Sequence, residues 1–87
     1  MAFVYILESQ KNRKYYVGSC KDVEDRLAQH NRGKSRYTKN FRPWKLVFFQ
    51  EYGTVAEARR IELKLKRYKS RKILDKIVKD QRIIMES

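Results

Sequence analysis

Eighty-seven residues leave room for one domain, spanning residues 1–87 with one modest core, because small domains bury a smaller share of their unfolded surface than large ones. Lysine and arginine number 22 against 10 acidic residues, a net charge of +12 that no fold requires and that points to a polyanionic partner. One cysteine, Cys20, excludes an internal disulfide, and one histidine excludes a structural zinc set of the Cys/His kind.

The N-terminal MAFVYILESQ has no charged leader followed by a long apolar stretch, and no apolar run approaches the roughly 20 residues of a membrane span. The expected setting is the cytoplasm or nucleoid, away from any membrane.

In chain order, AFVYILE (2–8) and KYYVGS (14–19) are rich in β-branched and aromatic residues, and the polar SQKNR between them predicts a hairpin. A turn centred between Gln10 and Lys11 sets Tyr5 opposite Tyr16, Leu7 opposite Lys14 and Phe3 opposite Gly18, so the two phenols lie side by side on one face. Asp22 then precedes VEDRLAQHNRG, whose early acidic residues and trailing Gly33 are helix start and stop signals. Helical spacing groups Val23, Leu27 and His30 on one side, with Arg26 on the flank of that side, one turn before His30.

KSRYTKNFRPW (34–44) reads as an irregular basic and aromatic loop with too few apolar residues to be core, although Trp44 at its end belongs inside. KLVFFQEY (45–52) is a third strand. Thr54 with Glu57 carries the capping-box signature of a helix whose buried stripe is Ala58, Ile61, Leu65 and Tyr68, edged by Val55. Glu62 falls within that stripe, so one carboxylate points toward the body of the protein. Ser70 is placed to cap a last helix patterned by Ile73, Leu74, Ile77, Val78, Ile84 and Met85. The order ββαβαα describes an α+β domain, a small three-stranded antiparallel sheet flanked by about three helices.

Hydrolysis of a phosphodiester needs an activated water, charge stabilisation on the phosphoryl oxygens and help for the leaving oxygen. Tyrosine, arginine, histidine and glutamate can serve those needs, and here they stand in a telling order. VYI in the first strand, YVG in the second, Arg26, His30 and then Glu62 in a downstream helix resemble the GIY-YIG nuclease superfamily over roughly residues 3 to 80. The likeness is greatest to small single-domain members related to the nuclease domain of bacterial nucleotide-excision endonucleases.

That resemblance implies a DNA endonuclease using one divalent metal, Mg²⁺ or Mn²⁺, with a role in DNA repair. It implies Tyr5, Tyr16, Arg26 and His30 as catalytic residues and Glu62 as the metal ligand. On chemical grounds, a metal and several cations beside Tyr5 would acidify its phenol enough to act as base. Phe3 stands where the first motif has glycine, Ser19 where some relatives have lysine, and no asparagine follows Glu62. A catalytically silent nucleic-acid-binding module of the same fold is the alternative.

Lys34, Arg36, Lys39 and Arg42 with Tyr37 form the candidate nucleic-acid groove, since cations pair with phosphates and rings stack on bases. Gly18 would let a phosphate backbone approach closely. Lys64, Lys66, Arg67, Lys69, Arg71 and Lys72 read as a solvated basic face, and Cys20 has no assigned role. The expected substrate is DNA, with RNA as an open alternative. Low intrinsic sequence specificity, or a protein partner that supplies it, is the expected mode of selection.

Overall fold

The computed structural model describes residues 1–68 and 70–83. The chain forms β1 (Ala2–Ser9), β2 (Tyr15–Cys20), α1 (Val23–Asn31), a 3₁₀ turn (Lys39–Phe41), β3 (Trp44–Tyr52), α2 (Val55–Tyr68) and α3 (Arg71–Asp80). The sheet is antiparallel in the order β2-β1-β3, so β1 is central and β2 is an edge. The ββαβαα order and α+β class read from the sequence are those of the structure.

Both sheet faces are covered, and successive β1 residues serve opposite cores. Val4, Ile6 and Val17 join Phe48, Ala58, Ile61, Leu65 and Ile77 beneath α2 and α3. Tyr5, Leu7 and Trp44 form the other core with Tyr16, Cys20, Val23 and Leu27 on the α1 side. The β1–β3 register shifts between Ile6 and Leu7, where Leu46 pairs with Leu7 but Phe48 pairs with Ile6. That bulge inserts Val47 and lets Leu46 and Phe48, two positions apart, face opposite cores.

The hairpin register differs from the sequence reading: Tyr5 pairs with Gly18, Leu7 with Tyr16 and Phe3 with Cys20. The cause is a longer loop. Ser9 Oγ accepts the backbone N–H groups of Lys11 and Asn12 at 3.1 and 3.2 Å, and Arg13 takes a left-handed φ of 65°, so the chain closes with Ser9 N–H bonded to the Lys14 carbonyl at 2.8 Å. Because the shift is an even number of residues, Tyr16 stays on the face of Tyr5 as a diagonal neighbour, with ring centroids 6.5 Å apart.

The helix ends follow local chemistry. Asp22 caps α1 by accepting the Asp25 N–H at 3.0 Å, and Gly33, with φ 79°, ends it. Thr54 Oγ1 accepts the Glu57 N–H at 3.1 Å, while the Glu57 carboxylate reaches back to the Gly53 N–H at 3.3 Å. Ser70 sits at the N-cap of α3 but makes no side-chain cap bond, contrary to expectation. Arg71 fastens α3 instead: its guanidinium donates to the Arg13 carbonyl at 2.6 Å and lies 4.3 Å from the Tyr15 ring centroid. Tyr15 completes the clasp by donating to Asp75 at 2.6 Å.

On α2, Ala58, Ile61, Glu62 and Leu65 are buried, whereas Val55 and Tyr68, assigned to the same stripe, are exposed. They fall at the first and last turns of the helix. On α3, Ile77 is buried and Leu74 and Val78 are half-buried; Ile84, Met85 and Lys69 lie outside the described residues. Among the described residues, no helix is long and apolar enough to cross a membrane.

Candidate active site

Strand β2 carries the site because it is the sheet edge, where side chains from both faces can meet around one backbone. Tyr16, Gly18 and Cys20 alternate toward α1, and Val17 and Ser19 toward α2. The five residues picked from sequence therefore divide between two faces rather than sharing one floor.

On the α1 face, Tyr5 is 2% exposed and His30 is 3% exposed, and the Tyr5 hydroxyl lies 3.0 Å from His30 Nε2. His30 Nδ1 is 2.8 Å from Thr38 Oγ1, whose own hydroxyl donates to the Ser35 carbonyl at 3.5 Å. That order puts the imidazole proton on Nδ1 and leaves Nε2 to accept from Tyr5. Burial, reinforced by Tyr16, holds the Tyr5 phenol well above the ordinary tyrosine range, with the nearby Arg26 charge pulling only partly the other way. Burial and then Arg26 also depress the His30 pKa below 6.5, favouring the neutral ring that this network needs. With no metal bound, the surrounding core works against the acidified Tyr5 expected from sequence, because it removes the water that would stabilise a phenolate.

Tyr16 differs in setting. It is only partly buried, packed edge-on against His30 with centroids 5.0 Å apart, 6.1 Å from Trp44 and 6.0 Å from Tyr37. Tyr37 continues the row to Phe41 at 6.1 Å. Of the two phenols, Tyr16 is the one that solvent reaches.

On the α2 face, Glu62 is 6% exposed, and its two carboxylate oxygens have separate donors. The Ser19 hydroxyl donates to one oxygen at 2.5 Å, and the Lys66 ammonium donates to the other at 2.7 Å. Lys66 also lies 5.6 Å from the Tyr16 ring centroid, which ties the two faces together around the strand edge. Arg26 is exposed and lines a hollow with Ser19, Asp22, Asp25 and Arg59. Two guanidiniums therefore share that hollow with Ser19, whose hydroxyl donates to the carboxylate.

Gly18 does not offer its backbone to a phosphate as expected. It is buried, and a Cβ there would come within 2.5 Å of Tyr5 Cζ, so the close approach it permits is that of the Tyr5 ring. Gly18→Ala forces the phenol aside and should cost about 1 to 3 kcal/mol, as overpacking does. For a domain of this size that means a melting point lower by roughly 4 to 8 °C per kcal/mol, read by thermal denaturation. An unchanged melting point would show that the ring has room to retreat.

In the 34–43 segment, Lys34, Arg36, Tyr37 and Lys39 are exposed. Arg42 is exposed too, but its Nε donates to the Lys39 carbonyl at 2.8 Å, which commits part of its fork to the loop. The loop is not wholly solvated: Thr38 is fully buried, and its carbonyl accepts the Trp44 indole N–H at 2.9 Å. Trp44 is core, as read.

Sequence reasoning missed Thr38 and Lys66. Nothing in the sequence marks Thr38, whereas the i,i+4 spacing of Glu62 and Lys66 was a signal available on the helix surface.

Among the described residues, no group of three or more His, Cys, Asp or Glu gathers around a common point. A lone buried carboxylate suits one hard cation that keeps most of its waters and takes phosphate oxygens as further ligands. Glu62 fits that description, since it is an oxygen donor set against one half-exposed ammonium and a hydroxyl.

The chain matches the GIY-YIG catalytic domain over residues 1–74. It is 39% identical over 80 residues to a UPF0213 protein of Staphylococcus aureus, an alignment covering 91% of this chain and 95% of that one. Among solved structures it resembles the solution NMR structure of a UPF0213 protein from Bacillus halodurans, with a TM-score of 0.56 and 33% identity, covering 91% of this chain and 84% of the other.

Proposed function

The chain belongs to the GIY-YIG family, a family of nucleases, and from that membership and the site's geometry we propose that it is a divalent-metal-dependent endonuclease hydrolysing DNA phosphodiester bonds. The observation that carries the reading is the buried carboxylate of Glu62, held by Ser19 of the edge strand and by Lys66, whose ammonium also lies over the ring of partly exposed Tyr16. A module that only binds nucleic acid has no use for an inward carboxylate, which repels phosphate and is costly to bury.

Glu62 is the group that would hold the metal, either Mg²⁺ or Mn²⁺. Bound there, the ion would polarise the phosphoryl group and the leaving oxygen. Tyr16 orients the attacking water and, in its phenolate form, would receive that water's proton. The Tyr5–His30–Thr38 chain lies behind Tyr16, and the His30 ring packed edge-on against it fixes its ring. Arg26 supplies a fork of donors for the phosphoryl oxygens. Lys34, Arg36 and Lys39 hold the backbone of the substrate, and Tyr37 offers a ring to a base. Such contacts carry little base information, so the enzyme selects by DNA structure or through a partner rather than by sequence. It works in the cytoplasm, on the bacterial chromosome or on repair intermediates.

Plasmid incubated with Mg²⁺ should be nicked or linearised, and chelator should stop the reaction; a folded preparation inert with both Mg²⁺ and Mn²⁺ would leave the silent module. Binding, measured by anisotropy, should weaken steeply with salt, with a log–log slope of about −0.9 per phosphate neutralised on duplex. Replacing Lys34 and Arg36 together by alanine should flatten that slope by about one for each phosphate no longer held, at all sequences alike. A salt-independent affinity would contradict the cationic groove.

A further inference from the structure

We propose that Lys66 is the resident counter-ion of Glu62, and that its ammonium passes from this carboxylate to a nucleic-acid phosphate when substrate arrives, so that DNA and the divalent cation bind cooperatively. The inference rests on the reading of Glu62 as the metal ligand and goes on to say how that ligand is kept before the metal comes. A carboxylate this deeply buried needs a positive partner, and Lys66 Nζ provides one at 2.7 Å. The two side chains are unequal: that of Glu62 is 8% exposed and that of Lys66 is 44% exposed. Lys66 alone of the pair is free to leave.

Its flexible stem reaches the carboxylate from the rim of a second hollow, lined by Lys14, Tyr16, Tyr37, Leu65 and Arg71. An anion entering that hollow would meet three cationic side chains beside the rings of Tyr16 and Tyr37. A divalent cation on the oxygen that Lys66 now holds would sit within a few ångströms of the ammonium, where like charges repel strongly in a poorly hydrated setting. Metal entry therefore requires the ammonium to move, and phosphate in the hollow gives it a destination. The coupling is reciprocal by linkage: whatever factor DNA adds to metal affinity, metal adds to DNA affinity. Lysine suits such an exchange because it binds as a compact point charge, without the fixed fork of arginine. A plain helix-surface ion pair would have an exposed acid and no ring beneath the base, and here the acid is buried and Tyr16 lies below the ammonium.

The test is Mn²⁺ binding to the full chain by calorimetry, with and without a phosphorothioate oligonucleotide that resists hydrolysis. Without oligonucleotide, Lys66→Met should bind Mn²⁺ at least about fivefold more tightly than wild type, the lower bound of ordinary coupling between sites. Adding oligonucleotide should tighten Mn²⁺ binding in wild type by about that factor more than in Lys66→Met, where direct ligation of the ion by phosphate is the coupling that remains. Lys66→Arg, which keeps the charge, should stay near wild type; methionine-like affinity there would overturn the counter-ion argument. Glu62→Gln separates the two levels. If it loses Mn²⁺ while Lys66→Met binds no more tightly than wild type, the exchange is overturned and the ligand assignment stands. If Glu62→Gln binds Mn²⁺ as wild type does, the ligand assignment fails, and the exchange with it. None of these readings depends on turnover.

Discussion

Glu62→Gln should abolish Mg²⁺-dependent cleavage while leaving a folded protein that still binds DNA. Glutamine keeps the size of the side chain and one acceptor oxygen, so the Ser19 hydroxyl retains an acceptor and the α2 core of Ala58, Ile61 and Leu65 is undisturbed. What disappears is the charge. Lys66 loses its ion pair, but an i,i+4 pair whose lysine is 44% exposed is worth at most about 1 kcal/mol, so the melting point should move by only a few degrees. Metal affinity should fall by more than the roughly 10- to 100-fold that follows from disturbing a ligand's outer partners alone. DNA affinity should hold or rise, because one anion has left a cationic surface. Measuring cleavage, melting and DNA binding on one preparation decides the matter. A protein that melts early yet cuts normally below that temperature would make Glu62 a structural ion-pair partner and remove it from the chemistry.

The elements of this fold were legible because each is announced locally. Asp22 and Thr54 accept the N–H groups their positions predict, Gly33 ends α1 with the left-handed φ that favours glycine, and strand alternation separates the Val4 and Ile6 core from that of Tyr5 and Leu7. What was not legible depends on contacts between segments. The hairpin register turned on Ser9, whose hydroxyl organises the loop and also donates to the Phe41 carbonyl at 2.7 Å, a partner 32 positions away. The division of the site between two sheet faces follows from β2 being an edge, a property of strand order that periodicity does not encode. Thr38 looked like a loop residue because its burial depends on how the loop folds back: its hydroxyl meets the His30 ring, eight positions before it, and its carbonyl the Trp44 indole, six positions after it. Lys66 was hidden by its neighbours, since one lysine within a basic run is indistinguishable from the others until its carboxylate is found buried.

The two tyrosines should separate when each is replaced by phenylalanine. Tyr16→Phe removes a hydroxyl from a ring held by its packing against His30, Trp44 and Tyr37, and Lys66 can still sit over the phenyl face. Stability should therefore change by less than about 1 kcal/mol. Cleavage should fall by roughly 10² to 10⁴, the usual yield of general acid–base assistance. Tyr5→Phe acts first on the fold. It leaves the buried His30 Nε2 without its donor, which costs about 1 to 3 kcal/mol for an unsatisfied polar atom and should be visible as a lower melting point. Its effect on turnover should pass through His30, so combining Tyr5→Phe with His30→Gln should cost less than the two losses added, whereas Tyr5→Phe and Tyr16→Phe should each remain felt in the presence of the other. If Tyr16→Phe cuts at the wild-type rate and Tyr5→Phe, assayed well below its melting point, does not cut at all, the roles are reversed. In that case the buried phenol does the chemistry, and the metal-bound site must acidify a group that its surroundings alone hold protonated.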